Sequence, residues 1–174
     1  MDTDLRIVRV PITHPDAMVL VEAVQEEYVV RYGGRDESPI DAGDFEDPRG
    51  QFFVGYLGGV TVATGAWRRS TVEALGTRLT AEIKRMYVVP AAQRRGYARR
   101  MLAHLEATAA AAGIEALVLE TGLEQPEAIA LYVSSGYEPV PGFGHYCGSD
   151  LSRTFGRRIG RSSLFSDPRL TGDR

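Results

Sequence analysis

The sequence predicts an α/β (α+β) fold, a mixed sheet flanked by helices, and three observations predict it. Two apolar runs, 52–57 and 60–67, flank Gly58-Gly59, which is the pattern of an antiparallel hairpin with a two-residue turn. From Leu79 onward, strand-like and helix-like periods alternate, which favours parallel pairing in that part of the sheet. Ala116-Leu117-Val118-Leu119 is a continuous apolar run of the kind found in a strand buried on both faces.

The elements follow in chain order. Leu5, Ile7, Val8 and Val10 suggest a first strand, stopped by Pro11. Asp16 is placed to cap a helix after Pro15. Val21, Val24 and Tyr28 recur at helical spacing to about Tyr32, and Gly33-Gly34 ends the run. Residues 35–50 are acidic, contain Pro and Gly and lack periodicity, so a loop with at most a short helical turn is expected. The hairpin strands come next, then a polar segment from Arg68 to Arg78. In the strand from Leu79 to Val89, Ala81, Ile83, Arg85, Tyr87 and Val89 should share one face, and Glu82, Lys84, Met86 and Val88 the other. A long helix then carries Ala98, Met101, Leu102, Leu105, Ala109 and Ala112 on one stripe, closed by Gly113. A second helix is expected over Glu124–Ser135, with short strands at Tyr137–Val140 and Ser152–Ile159. The chain is expected to form one domain over 1–160. The segment 161–174 has little to bury and is expected to be a mobile tail.

Composition narrows the function classes. The chain has 174 residues, 44% of them hydrophobic and 25% charged, in the ordinary range for a soluble globular protein. A net charge of -3 argues against nucleic acid as a partner of the whole chain. The single cysteine, Cys147, excludes an internal disulfide and a cysteine-based zinc cluster. His14, His104 and His145 have no ligand spacing, so no metal is expected. No apolar run approaches the ~18 residues of a membrane span, and the first residues lack a secretory apolar core, so a cytoplasmic location is expected.

The stretch with the most chemistry is the turn Gln93-Arg94-Arg95-Gly96-Tyr97-Ala98 between a strand and a helix. Bare N–H groups at a helix start attract anions, and Gly96 lets the backbone come close. Arginines at 94, 95, 99 and 100 stand at the end where the helix dipole disfavours cations, which calls for a reason. A phosphate is one reason; a basic helix start that solvates itself is the other. Neither a P-loop nor a dinucleotide fingerprint is present.

Gln93-Arg94-Arg95-Gly96-Tyr97-Ala98 resembles the Gln/Arg-x-x-Gly-x-Gly/Ala signature of the GNAT superfamily of acetyl-CoA-dependent N-acetyltransferases. Glu82–Val88 is similar to that family's central strand. Glu120-Thr121-Gly122, Gln125–Tyr132 and Gly136-Tyr137 are similar to its second conserved block. The resemblance implies a mostly antiparallel twisted sheet with a splayed central parallel pair. It implies acetyl-CoA as co-substrate, with its pyrophosphate held by Gln93, Arg94, Arg95, Gly96, Tyr97, Ala98 and Arg99. The pantetheine arm would lie along Met86, Tyr87 and Val88, with the Val88 N–H facing the thioester carbonyl. Catalysis would fall to Tyr132, as the acid that protonates the leaving thiolate, and to Glu82 as base, with Glu120 as the alternative base.

The acceptor is expected to be a small-molecule primary amine, with a protein N-terminus or lysine as the alternative. The acidic loop carries Asp36, Glu37, Asp41, Asp44, Glu46 and Asp47, and reads either as a mouth that attracts a cationic amine or as a solubilising loop. Tyr28, Tyr32, His145 and Tyr146 are further residues that could reach the acceptor side. Cys147 lacks the partners of a nucleophile. Arg153, Arg157, Arg158 and Arg161 form a basic run expected to be solvated. A homodimer is compatible with the resemblance. Two other classes remain open: a CoA-binding sensor without turnover, and an interaction module whose basic turn meets an acidic partner.

Overall fold

The computed structural model describes residues 4–160. The proposed tail, with Arg161, lies outside them. Among the described residues seven strands form one sheet: β1 (Arg6–Arg9), β2 (Gly50–Leu57), β3 (Val60–Ser70), β4 (Thr80–Val88), β5 (Ala116–Gly122), β6 (Glu138–Pro139) and β7 (Ser152–Arg158). Their spatial order is β1-β2-β3-β4-β5-β7-β6. Every neighbouring pair is antiparallel except β4 and β5. Among the described residues three α-helices flank the sheet: α1 (Pro15–Tyr32), α2 (Tyr97–Ala111) and α3 (Pro126–Ser134). The mixed, mostly antiparallel architecture expected from the sequence is the one observed.

The helices divide between the two faces. On one side Ala17 of α1 packs against Phe45, Phe52, Val54 and Ala66. On the other, Met101, Leu102, Leu105 and Ala109 of α2 join Trp67, Ile83, Leu117 and Tyr132 in the larger core. Trp67 fixes α2 to the sheet by donating from Nε1 to Thr108 Oγ1 at 3.1 Å. Leu102, Leu105, Leu117 and Leu119 are each at most 1% exposed, and burial of such side chains stabilises by roughly 1.5–3 kcal/mol each. β5 is buried on both faces over Ala116–Leu119, as its unbroken apolar run requires.

Three local expectations are corrected. The cap of α1 is His14, whose Nδ1 accepts from the Asp16 N–H at 3.1 Å; Asp16 sits inside the first turn. β3 extends to Ser70, because Arg68, Arg69 and Ser70 pair with Glu82, Ala81 and Thr80. The even alternation along β4 fails at Arg85. Thr64 pairs with Tyr87 and Ala66 with Lys84, so Gly65 alone stands opposite both Arg85 and Met86. This is a β-bulge, and Arg85 takes a left-handed φ of 56° within it. Beyond the bulge Val88 joins Ala81 and Ile83 in the α2-side core. Gly65 has no room for a side chain, since a Cβ would meet Met101 Cγ at 2.7 Å and Met86 Sδ at 3.0 Å.

The parallel ladder is short. It pairs Thr80, Ala81 and Glu82 with Ala116, Leu117 and Val118 and then stops. β4 continues to Val88 and β5 to Gly122, so the two strands part in the middle of the sheet.

Candidate active site

Where β4 and β5 part, a cavity of about 430 Å³ opens. Its walls come from every element that meets there. β4 contributes Ile83 to Met86 and β5 contributes Leu119 to Gly122. The end of α1 supplies Tyr28 and Tyr32, α3 supplies Ala128 and Tyr132, and the loop before β7 supplies Tyr146. Tyr32 crosses so close to β5 that a Cβ on Gly122 would overlap its hydroxyl.

Tyr132 is buried, and its ring meets Tyr137 edge-on at 5.6 Å. Burial, with Tyr28 nearby, pushes its phenol far above the ordinary range, so the hydroxyl stays protonated at neutral pH. Tyr28 is pushed up to about 12, chiefly by burial and against the pull of Arg85.

Glu120 stands on β5 with Oε2 buried and, among the described residues, without a hydrogen-bond partner. Burial raises its carboxyl above the usual range. The Ser152 hydroxyl and Lys84 temper that rise, although no hydrogen bond of ordinary geometry closes from Ser152 Oγ. A carboxylate raised in this way has the character of a general base or acid.

Glu82 is placed differently. Its Oε2 accepts from Arg68 Nη2 at 3.2 Å, its Oε1 lies 3.7 Å from Lys84 Nζ, and it is not part of the cavity wall. Arg68 is itself held by Asp44 at 2.9 Å. The two sequence-predicted catalytic residues are therefore not brought together: Tyr132 enters the cavity and Glu82 closes an ion-pair cluster outside it.

Of the cofactor positions, Met86 lines the cavity, while Tyr87 and Val88 lie past it at the end of β4. The Val89 N–H donates to Val62 O at 2.9 Å, so strand alternation turns the Val88 N–H to the opposite edge, toward β5. Gln93 clamps the turn to this strand, donating from Nε2 to Val88 O at 2.9 Å. Gly96 caps α2 with a φ of 82°, and among the described residues no side chain closes that end and nothing lies within 4 Å of its missing Cβ. Gln93, Arg94 and Arg95 are exposed beside it, whereas Tyr97 is buried in the core. Arg99 donates to Ser134 and Ser135 and so ties α2 to α3, and Arg100 is paired with Asp4. Of the four arginines in and after the turn, 94 and 95 have the placement to meet an anion. An uncapped helix start, an unobstructed glycine and two exposed arginines fit a pyrophosphate.

The loop after α1 is more than a solubilising segment. Asp36 is half-buried against β4, where its Oδ2 accepts from Arg85 Nη1 at 2.8 Å. Its Oδ1 accepts from the Ser38 N–H, the Ser38 hydroxyl and the Tyr146 hydroxyl. Burial alone would raise this carboxyl; Ser38, Lys84 and Arg85 outweigh it and hold it well below the usual range. His145 packs edge-on against Tyr146 and lies outside the cavity wall. Sequence reasoning gave Arg85 no role. The signal was an arginine on the expected strand face that otherwise carries Ala81, Ile83, Tyr87 and Val89. Among the described residues, no group of three or more His, Cys, Asp or Glu could hold a metal ion. No helix among them is long and apolar enough to cross a membrane.

A sheet that splits around a cavity, beside an uncapped basic helix start, is the arrangement that the resemblance implied for an acyl-CoA-dependent transferase. Residues 18–137 match the model of the acetyltransferase (GNAT) family, and the chain belongs to that family. It is an acyltransferase. An IAA acetyltransferase from Azospirillum brasilense is 35% identical over 79% of this chain and 87% of its own length. Among solved structures, a Klebsiella pneumoniae protein described as an acyl-CoA N-acyltransferase superposes with a TM-score of 0.74 at 24% identity, over 91% of this chain and 99% of its own. A GNAT-family acetyltransferase from Staphylococcus aureus gives 0.70 at 16% identity, over 90% of this chain and 100% of its own. Members of the family use acetyl-CoA as co-substrate.

Proposed function

We propose that this chain transfers an acetyl group from acetyl-CoA to a primary amine of a small molecule, by direct attack within a ternary complex. The observation that carries this reading is the cavity between the unpaired lengths of β4 and β5, with Glu120 and Tyr132 in its wall. Residues 1–160 act as one catalytic domain in this scheme.

Acetyl-CoA, when bound, supplies an activated thioester. Arg94, Arg95 and the first-turn N–H groups of α2 hold its pyrophosphate, with Gln93 fixing the turn to β4. The edge of β4 over Met86–Val88 pairs with the pantetheine arm as an added strand. The Val88 N–H donates to the carbonyl oxygen as negative charge gathers there. Glu120, rather than Glu82, takes the proton of the attacking amine, because Glu82 is committed to Arg68. The nitrogen forms a bond to the carbonyl carbon and the carbon–sulfur bond breaks. Tyr132 gives its phenolic proton to the departing sulfur and recovers one from solvent, and Glu120 releases the amine's proton to solvent, which closes the balance.

A small-molecule acceptor is favoured by the name of the relative with 35% identity, IAA acetyltransferase. The test is release of free thiol from acetyl-CoA with a panel of primary amines, with the acetylated product identified by mass. Binding of CoA with no thiol release from any amine would overturn the reading in favour of a sensor.

A further inference from the structure

The β4 bulge holds Arg85 in a left-handed backbone conformation that non-glycine residues avoid. The side chain it presents is 6% exposed and forms part of the cavity wall. Among the described residues only its Nη1 has a partner, Asp36 Oδ2 at 2.8 Å. Its Nε is buried with no acceptor. Asp36 cannot turn to cover the second edge, since its other oxygen is already taken by Ser38 and Tyr146.

A guanidinium offers paired, coplanar N–H groups, and the Nε/Nη2 edge is one such fork. Leaving a buried N–H of this kind without an acceptor is unfavourable, and a planar anion with two oxygens satisfies it. Lys84 is also part of the cavity wall; its Nζ donates to Ser38 Oγ at 3.0 Å and lies 3.7 Å from Glu82 Oε1, so the unpaired guanidinium edge belongs to Arg85. Glu120 in the β5 wall answers the other end of such a molecule, an amine.

We propose that the acceptor amine also carries a carboxylate, which docks on the Nε/Nη2 edge of Arg85, so that the substrate class is the free amino acids. This rests on the acetyl-transfer reading above. The competing role for Arg85 is structural: holding the 35–38 loop onto β4 through Asp36.

The test compares initial rates of thiol release for a set of α-amino acids and, for each, the amine that lacks only the carboxylate. The amino acid of each pair is expected to have a kcat/KM at least about tenfold higher, expressed mainly in KM. Arg85→Lys keeps the charge and loses the fork, so the ratio within each pair should fall toward one. CoA-induced thermal stabilisation of the variant shows that it is folded; if it does not fold, the ratios of the native protein decide. Equal rates within the pairs, a preference for the decarboxylated amines, or an Arg85→Lys that slows both members alike would overturn the inference and leave acetyl transfer standing. No thiol release from any amine would overturn acetyl transfer, and the inference with it.

Discussion

Glu82 of β4 stands in register with Val118 of β5, and theirs is the last pair of the parallel ladder. One residue further along, Ile83 and Leu119 already line the cavity. The bulge that sets Gly65 against Arg85 and Met86 turns β4 where it leaves its neighbour. The site is therefore a consequence of interrupted pairing, and its chemistry comes from side chains that the interruption exposes to one another.

Tyr132→Phe removes one hydroxyl and keeps the ring packed against Tyr137. Turnover should fall by about a hundredfold or more, the usual scale for a lost general acid. CoA affinity should stay within about twofold. Steady-state kinetics beside a CoA titration measure both, and unchanged turnover would remove Tyr132 from the mechanism.

Glu120→Gln should lower kcat/KM by about a hundredfold and flatten the acidic limb of its pH profile. The native limb should lie above the usual carboxylate range, because burial raises this group. The sign for stability follows from the same shift. A raised carboxylate stabilises the fold when protonated, and that contribution is lost as pH rises through its folded value. The glutamine variant should thus be at least as stable as the native protein at pH 7, while being the poorer enzyme. A drop in melting temperature would instead assign Glu120 a structural charge.

Gly96→Val puts a branched side chain at a φ of 82° with open space around it. The strain should cost roughly 1–3 kcal/mol in denaturant unfolding, with no clash to unfold the domain. CoA affinity should fall at least tenfold, because the backbone can no longer come close to a pyrophosphate. Native CoA affinity in this variant would refute the cradle.

Asp36→Asn leaves Arg85 charged and buried without its counter-ion. Breaking such a pair should destabilise by roughly 3 kcal/mol. Asp36 is held below its ordinary range, so its contribution is present above the unfolded value and lost as pH falls through the folded one. The gap between native and variant stability should therefore close in acid. A constant gap from neutral to strongly acidic pH would mean that the pair is not the source.

Much of this was legible in the chain. The hairpin at Gly58-Gly59, the end of α1 at Gly33 and the double-sided burial of Ala116–Leu119 follow from local periods and turn residues, and each is observed. The Gln93–Ala98 turn was legible for the same reason: its chemistry lies in consecutive residues. Glu82 shows where such reading stops. Its partner Arg68 lies fourteen residues away on an adjacent strand, and nothing in either segment announces the pairing. Arg85 and Asp36, forty-nine residues apart, are a stronger case.

The sequence by itself determined the order of strands and helices, the family and the basic turn before α2, because periodicity, capping and turn chemistry act over a few neighbouring residues. The tertiary structure alone decided which carboxylate faces the cavity and which is neutralised, and that a one-residue bulge puts Arg85 in its wall. Those outcomes depend on where β4 and β5 stop pairing, and register between distant strands is set by the packing of the whole core.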